Sequence, residues 1–517
     1  MANVSIRHDG PQRAAGTAPE TDRPLLETAI RALATVAGAL FIVALPLVAN
    51  AAHSALGLLT LAALVIPCAL LSPATLVATI FCGFIFQNTI VSMLTGWVAT
   101  KAEFDMMRAY NFFTVCIAWA TVASQFLAGR LPGQPALMPF LKASVAALAL
   151  IGVYFLLGFA LYGTLAIVNL RNIATPLLLF QISVVLFASL PLRPGPALTL
   201  IGLLLLFCGL AEFLFRNDWL VLTNGAAYWN LTTGPNWATL ALDKQVRETG
   251  LVAGGLLDTF RISLFNSPLF ADLDIAMLRL FGPNMHAISF AYCLAFFSLF
   301  TLYRGRMLQA LAFIVLLVLA SAKGPVLVFL LAGVSWIVFQ LLGSRVALAL
   351  HLLVLAVYAV SGVILGMRIG DFHVLGLMAG LAEFVANPLG RGIGAGGNLS
   401  PLFSTINWYE AQAVGRTPFP VESSVGVLLY QMGIAAFAVI GVYAWIAWRL
   451  LALARFTRNA LHAAFAFALM ALIVNGLFQE EAYFAPLALS IYMALAGMML
   501  GAGVRTGAIG GPQFTVK

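Results

Sequence analysis

The sequence predicts an all-α fold, a polytopic membrane helix bundle of about fourteen transmembrane helices with two long extracytoplasmic segments containing interfacial helices. Three observations predict it. Hydrophobic residues make up 62% of the 517-residue chain. Charged residues make up only 9%, against roughly 25% in a soluble domain. The mean hydropathy is +1.00.

Taken in order, residues 1–28 are polar, rich in Pro, Thr and Arg, and read as a disordered cytoplasmic tail. Ala49-Asn50-Ala51 could pass as a signal cleavage site, but the apolar stretch after Arg31 is longer than a secretory h-region, so it reads as an uncleaved first span. Seven apolar windows follow one another near 29–49, 54–71, 74–96, 108–128, 143–163, 173–191 and 197–215, forming an N-terminal bundle over 29–215. Four more lie in 284–366, near 284–302, 306–322, 324–342 and 346–366. The last three, near 425–448, 459–477 and 482–503, precede a cytoplasmic tail at 504–517. Two linking segments remain, a periplasmic amphipathic segment at 216–283 and a periplasmic loop at 367–424.

Sidedness follows from charge. If the N-terminal tail is cytoplasmic, the turns returning to that side carry Arg130, Lys142, Arg193, Arg304, Arg306, Arg345, Arg449, Arg455, Arg458, Arg505 and Lys517, and no acid. Acids from Glu103 to Glu481 fall on the opposite face or at its edge, which is the positive-inside pattern with both termini cytoplasmic. The net charge of +8 is therefore scattered as topology requires, and no basic stripe suggests nucleic acid. Cys68, Cys82, Cys116, Cys208 and Cys293 lie inside apolar runs without metal-ligand spacing, so packing is their expected role. No cofactor or metal is called for.

In 216–283, Trp219, Tyr228, Trp229 and Trp237 suit headgroup level, and "LLDTFRISLFNSPLFADLDIAMLRLFG" (256–282) alternates charges with apolar faces as an interfacial helix would. The 367–424 segment holds "NPLGRGIGAGG" (387–397), glycines crowded around the single cation Arg391. Gly392 and Gly394 allow positive φ and close backbone approach, and consecutive N–H groups there could form an anion-binding nest beside the guanidinium. A flexible re-entrant turn with one snorkelling arginine is the plainer alternative, and the residues alone leave both open. No strand or βαβ unit surrounds these glycines, which removes a nucleotide fingerprint.

Glu422, in "PFPVESSVGVLLYQMGI" (418–434), stands at the threshold of an apolar helix. It either caps that helix or serves as a general base at a water-poor edge. Arg171 opens the sixth span in "NLRNIATP", Lys323 sits in the turn "SAKGP", Arg279 and His286 flank the eighth span, and Glu480 and Glu481 occupy "FQEEAYFAP". Each singly is more often an interface anchor; their collective placement on one plane points to a site.

Five stretches carry a resemblance. "NPLGRGIGAGG", "VESSVGVLLYQMGI" and "LASAKGPVLVFLLAG" resemble the O-antigen ligase and polysaccharide polymerase superfamily, the last being similar to its "SR-G" turn. "RLFGPNMHAISFAY" and "NGLFQEEAYFAPLAL" look similar to exopolysaccharide polymerases in particular. The resemblance covers roughly 276–500; before it, only Arg171 has a counterpart.

The resemblance implies a metal-independent, GT-C-like membrane glycosyltransferase of the bacterial inner membrane. Its donor would be an undecaprenyl diphosphate-linked glycan at the periplasmic face, with membrane lipid around it and a chain-length regulator of the export machinery as a further candidate partner. Arg391 matches a diphosphate-binding position, with Lys323 and Arg171 beside it, and Glu422 stands where ligases often hold His. Arg279, His286, Gly392, Gly394, Glu480 and Glu481 complete the implied substrate-binding set. Lys323 departs from the family's usual Arg, which removes bidentate phosphate recognition there. Glu422 in place of His favours a polymerase over a lipopolysaccharide ligase; a lipid-linked oligosaccharide flippase is the remaining rival, disfavoured because the helix interiors are nearly free of charge.

Overall fold

The computed structural model describes residues 23–98, 100–233, 261–263 and 276–510. Among them, ten helices are long and apolar enough to cross a membrane: Leu26–Ala52, Ser54–Leu71, Pro73–Met93, Tyr110–Leu127, Pro135–Tyr162, Thr164–Ser189, Gly195–Leu214, Lys323–Ile369, Ala435–Thr457 and Pro486–Arg505. Shorter apolar helices run over Ala287–Leu302, Met307–Leu319, Phe372–Ala386 and Ala460–Asn475. The chain is a multi-pass helical membrane protein.

Its surface is inverted relative to a soluble fold. Leu59, Leu71, Phe207 and Leu308 stand exposed, while Gln87, Gln181, Gln431 and Asn475 are buried. Hydrocarbon offers these amides no partner, so each finds one inside the bundle. Trp119 Nε1 donates to Gln181 Oε1 (2.7 Å), and Gln181 Nε2 donates to Ser144 Oγ (2.9 Å), tying three helices together. All five cysteines are free thiols.

Glycines set the breaks. Gly343 (φ 79°, ψ 172°) divides Lys323–Ile369 into two antiparallel halves, near the boundary the apolar windows imply. Gly433 (φ 53°, ψ −133°) does what the windows missed: it cuts the expected 425–448 span into Ser424–Met432 and Ala435–Thr457. A Cβ at Gly433 would meet Pro388 O at 2.0 Å, so the break is also the point where the glycine-rich stretch packs in. The sixth expected span is likewise redrawn, since its helix starts at Thr164 after Gly163, and Arg171 lies within its second turn rather than opening it.

Both linking segments contain elements that the apolar windows do not show. Within 367–424 lies the fifteen-residue apolar helix Phe372–Ala386, capped by Asp371 Oδ1, which accepts from His373 N and Val374 N. Within 216–283, Arg216–Leu222 and Gly225–Thr233 are helical. The interfacial helix expected at 256–282 is replaced, where described, by an antiparallel ribbon pairing Arg261–Ser263 with Ala276–Leu278. Apolar and polar residues alternate with period two in "FRISL" (260–264), a strand pattern that the wider helical reading overrode. Trp237 lies outside the described residues.

Antiparallel packing gathers the turns at two ends. At one end, Arg304 lies against Gly195, Ser189 Oγ donates to Pro132 O, and Arg505 Nε donates to Phe187 O. At the other end, Thr89 N donates to Pro283 O (3.1 Å) and Asn88 Nδ2 to Asn284 O (2.8 Å). Glu212 accepts from Phe281 N (2.9 Å), Gly282 N (2.7 Å) and Arg216 (2.7 Å) there, a buried ion pair that pins the 279–282 turn. The candidate site lies at this second end.

Candidate functional site

A cavity of about 430 Å³ opens at the second end, lined by Arg108, Arg171, His286, Glu480 and Glu481 and by the amides of Asn88, Asn111, Asn172 and Asn398. Arg171 projects from its helix with Nε directed at Asn172 Oδ1 (3.4 Å). Arg108 ends the short helix Lys101–Arg108, whose start is fixed by a capping box between Thr100 and Glu103. Its guanidinium lies over the Tyr228 ring (5.7 Å) and 3.6 Å from Asp105.

His286 caps helix Ala287–Leu302 by accepting from Ser289 N at Nδ1 (3.3 Å), which leaves Nε2 to carry the proton in the neutral ring. Walls surround this ring while its own surface faces the open cavity. That burial, with the charges of Arg279 and Arg108, pushes its pKa down to about 4. It is a neutral donor at pH 7. Arg279 stands close to Glu481; burial lowers its pKa and the Glu481 charge opposes the shift.

Two carboxylates line the same cavity. Glu480 is buried, and both its oxygens accept from Asn398 N at 3.0 Å. Burial nevertheless raises its pKa well above the usual carboxylate range, with the neighbouring Glu481 adding to it. Glu481 is shifted upward as well, by burial first and by Glu422 next.

Glu422 links these carboxylates to the rest of the end. It is one of five non-glycine residues with positive φ among those described, at 60°. Asn224, Met285 and Ser321 are three others, and all lie in turns at the same end. Such backbone costs about 1–3 kcal/mol and persists where the surroundings over-determine it. Here they do: Glu422 N donates to Asn398 Oδ1 (2.9 Å), and its carbonyl accepts from His373 Nδ1 (3.0 Å). The same Nδ1 lies 3.5 Å from Glu422 Oε2. Glu422 is not the helix cap, because Ser423 Oγ accepts from Gly426 N in that role.

Arg391 lies elsewhere. Its Nε and Nη2 both reach Glu383 Oε1 (2.7 and 2.5 Å), and its guanidinium sits 5.5 Å from the Tyr430 ring centroid. It does not line the cavity of Arg171 and His286. The Glu383 bond raises its pKa further. The glycine-rich backbone is also committed. Arg391 N donates to Tyr430 O, Gly392 N to Gln431 O, Ile393 N to Tyr154 O and Gly397 N to Pro420 O. These four N–H groups are spent on carbonyls and are not free to bind an anion. Gly392 (φ 91°) and Gly394 (φ 103°) serve close approach instead, and a Cβ at Gly158 would meet Ile393 O at 1.9 Å.

Lys323 heads its helix and is exposed. It lines a separate, mainly apolar cavity of about 440 Å³ with Leu327, Leu365, Ile369 and Phe478, closed on its polar side by Asp371 and His373. His373 thus touches Glu422 from this second cavity, and Asn398 touches it from the first.

The structure brings Arg171, His286, Glu480 and Glu481 together, places Arg279 and Glu422 against them, and leaves Arg391, Gly392, Gly394 and Lys323 apart. Sequence reading missed Arg108, Asn88, Asn111, Asn398 and His373. Asn398 follows the glycine-rich stretch directly and was the one with a local signal. Among the described residues, no group of three or more His, Cys, Asp or Glu side chains is placed to hold a metal ion. Compared with known proteins, the chain matches no protein-family model and no curated protein.

Proposed function

We propose that the chain is a polysaccharide polymerase of the exopolysaccharide or O-antigen type. It would transfer glycan from an undecaprenyl diphosphate-linked donor to an acceptor sugar hydroxyl at the periplasmic face of the bacterial inner membrane. In this reading the chain crosses the membrane fourteen times, counting both halves of Lys323–Ile369 and the helices Ala287–Leu302, Met307–Leu319 and Ala460–Asn475 with the nine other long ones. The arginine-rich end of the bundle is cytoplasmic by the positive-inside rule.

One observation carries the reading: two arginines and a neutral histidine line one cavity together with two carboxylates, with the strained Glu422 beside them. The acceptor hydroxyl oxygen attacks the anomeric carbon as the bond from that carbon to the diphosphate oxygen breaks. The hydroxyl proton passes to the Glu422 carboxylate, and the diphosphate leaves with the bonding pair. Arg171 and Arg108 stabilise that leaving charge, which is where fixed cations in a water-poor site act most strongly. His286 donates from Nε2 to a donor oxygen. Arg279, close to Glu481, adds a further cation beside the cavity.

The test is elongation by purified full-length protein in detergent, given a glycan-bearing undecaprenyl diphosphate with EDTA present. A product ladder from wild type that is lost in Glu422→Gln and Arg171→Ala supports the reading. No ladder, with transfer instead to lipid A–core acceptor, makes the chain a ligase. Translocation in proteoliposomes without any transfer makes it a flippase and ends the proposal.

A further inference from the structure

A third cavity, of about 520 Å³, lies beyond the glycine-rich stretch, between helix Phe372–Ala386, the 405–420 segment and Tyr430. Neither the sequence reading nor the transfer chemistry uses it. Its volume is within the roughly 300–1,000 Å³ of small-molecule sites. Its charged and amide lining is Glu383, Glu410, Asn407 and Arg416, and its aromatic lining is Phe419 and Tyr430.

That mixture selects a ligand class. Glu410 and the Arg391-paired Glu383 beside one lining arginine leave no excess positive charge for a phosphate or diphosphate. The polar rim disfavours a lipid tail, for which the Lys323 cavity is better suited. What remains is a hydroxyl-rich ligand. Carboxylate, amide and guanidinium groups can each engage two neighbouring hydroxyls in one plane. The aromatic faces can cover the C–H face of a sugar ring.

Neighbouring side chains brace the walls. Arg391 locks Glu383 from behind and lies on Tyr430, so the cation that the glycines surround holds two lining side chains in place. Trp408, packed against Phe372 (4.4 Å) and Phe403 (6.3 Å), fixes the short helix Trp408–Val414 that carries Glu410.

We infer that this cavity is a saccharide site, holding sugar units of the glycan away from the reacting carbon, with Glu410, Arg416 and Tyr430 in contact and Arg391 as a positioning residue. The inference rests on the polymerase reading for the identity of its glycan, and on cavity chemistry for its ligand class. It also gives Arg391 a role other than diphosphate binding.

Binding tests it without turnover. The probe is the lipid-free repeat-unit oligosaccharide, released by mild acid from the host's own lipid-linked precursor and titrated calorimetrically into full-length protein in detergent. Wild type is expected to bind. Glu410→Ala and Arg416→Ala, both at exposed positions, should each weaken binding at least tenfold. Val414→Trp, which fills the rim from an exposed position, should abolish it. Thermal unfolding at the wild-type temperature shows that each variant is folded. Arg171→Ala should bind the oligosaccharide as wild type does. The inference is overturned if wild type binds no oligosaccharide, if the three variants bind normally, or if inorganic diphosphate displaces the sugar. Intact, variant-sensitive binding with no elongation upholds the saccharide site and sinks the polymerase reading alone.

Discussion

His373 holds Glu422 twice, its Nδ1 lying 3.0 Å from the carbonyl oxygen and 3.5 Å from the carboxylate Oε2. That imidazole N–H donates to the carbonyl of the strained residue and lies beside its carboxylate. Asn398 completes the clamp from the other side by accepting the Glu422 N–H (2.9 Å). Because His373 and Asn398 line different cavities, Glu422 is the residue at which the two cavities meet.

Separating the side chain of Glu422 from its backbone is therefore informative. Glu422→Gln should slow elongation by about 10²–10⁴-fold, the usual worth of a positioned general base, without changing thermal stability. Glu422→Gly should be equally inactive yet unfold at a higher temperature, because glycine adopts φ 60° freely. Equal unfolding temperatures for Gly and Gln would show that the clamp, rather than strain, sets the backbone there.

At the cavity wall, Arg171→Lys should retain part of the elongation rate and Arg171→Ala almost none. A lysine keeps the charge and loses the planar fork that matches diphosphate oxygens. Single-turnover transfer with radiolabelled donor distinguishes them, and equal rates for Lys and Ala would remove Arg171 from the leaving-group site.

The Glu480 carboxyl makes stability depend on pH. Its folded pKa is raised by burial, so the folded chain holds a proton that the unfolded chain releases. The stabilisation is full below the ordinary carboxylate pKa and is lost as pH rises through the folded value. Glu480→Gln, which cannot ionise, should show a flatter decline of unfolding temperature across pH 5–9 than wild type. A parallel decline in both proteins would mean that other groups govern it.

The buried pair Glu212–Arg216 anchors the turn that carries Arg279 and leads to His286. Glu212→Ala should destabilise the protein by about 3–5 kcal/mol, since it leaves a buried guanidinium uncompensated and frees two backbone donors. Reversible unfolding in mixed micelles measures it, and a cost below about 1 kcal/mol would show that the turn is held by other contacts.

The glycine-rich stretch should answer to volume rather than charge. Gly158→Val would drive its side chain into Ile393, and Gly392→Ala would add a Cβ 2.8 Å from Gly158 N at φ 91°. Both should lower the yield of folded protein. Arg391→Ala, which removes a half-exposed ion pair, should cost only about 0.2–1 kcal/mol of stability.

The apolar windows by themselves determined that this is a helical membrane protein and roughly where its helices lie, because a bilayer fixes the length and polarity of anything that crosses it. Hydropathy could not see Gly433, since a helix and a broken helix of the same residues are equally apolar. It also could not separate Phe372–Ala386 from a loop, because fifteen residues fall short of a span. Charge counting identified Arg171, His286, Glu480 and Glu481 as residues of one end, and they do share a cavity. The partner of Arg391 was decided only by tertiary structure. Glu383 lies eight residues earlier on the helix Phe372–Ala386, which the sequence reading took as loop, and the chain must fold back over Gly390 before the two meet. The same holds for Asn398 and His373, which stand 24 and 49 residues from Glu422 in the chain. Neutral amides and a lone imidazole carry no signal until packing removes water and leaves them one partner each. Composition fixes which groups are costly to bury; only the fold decides which of them are buried together.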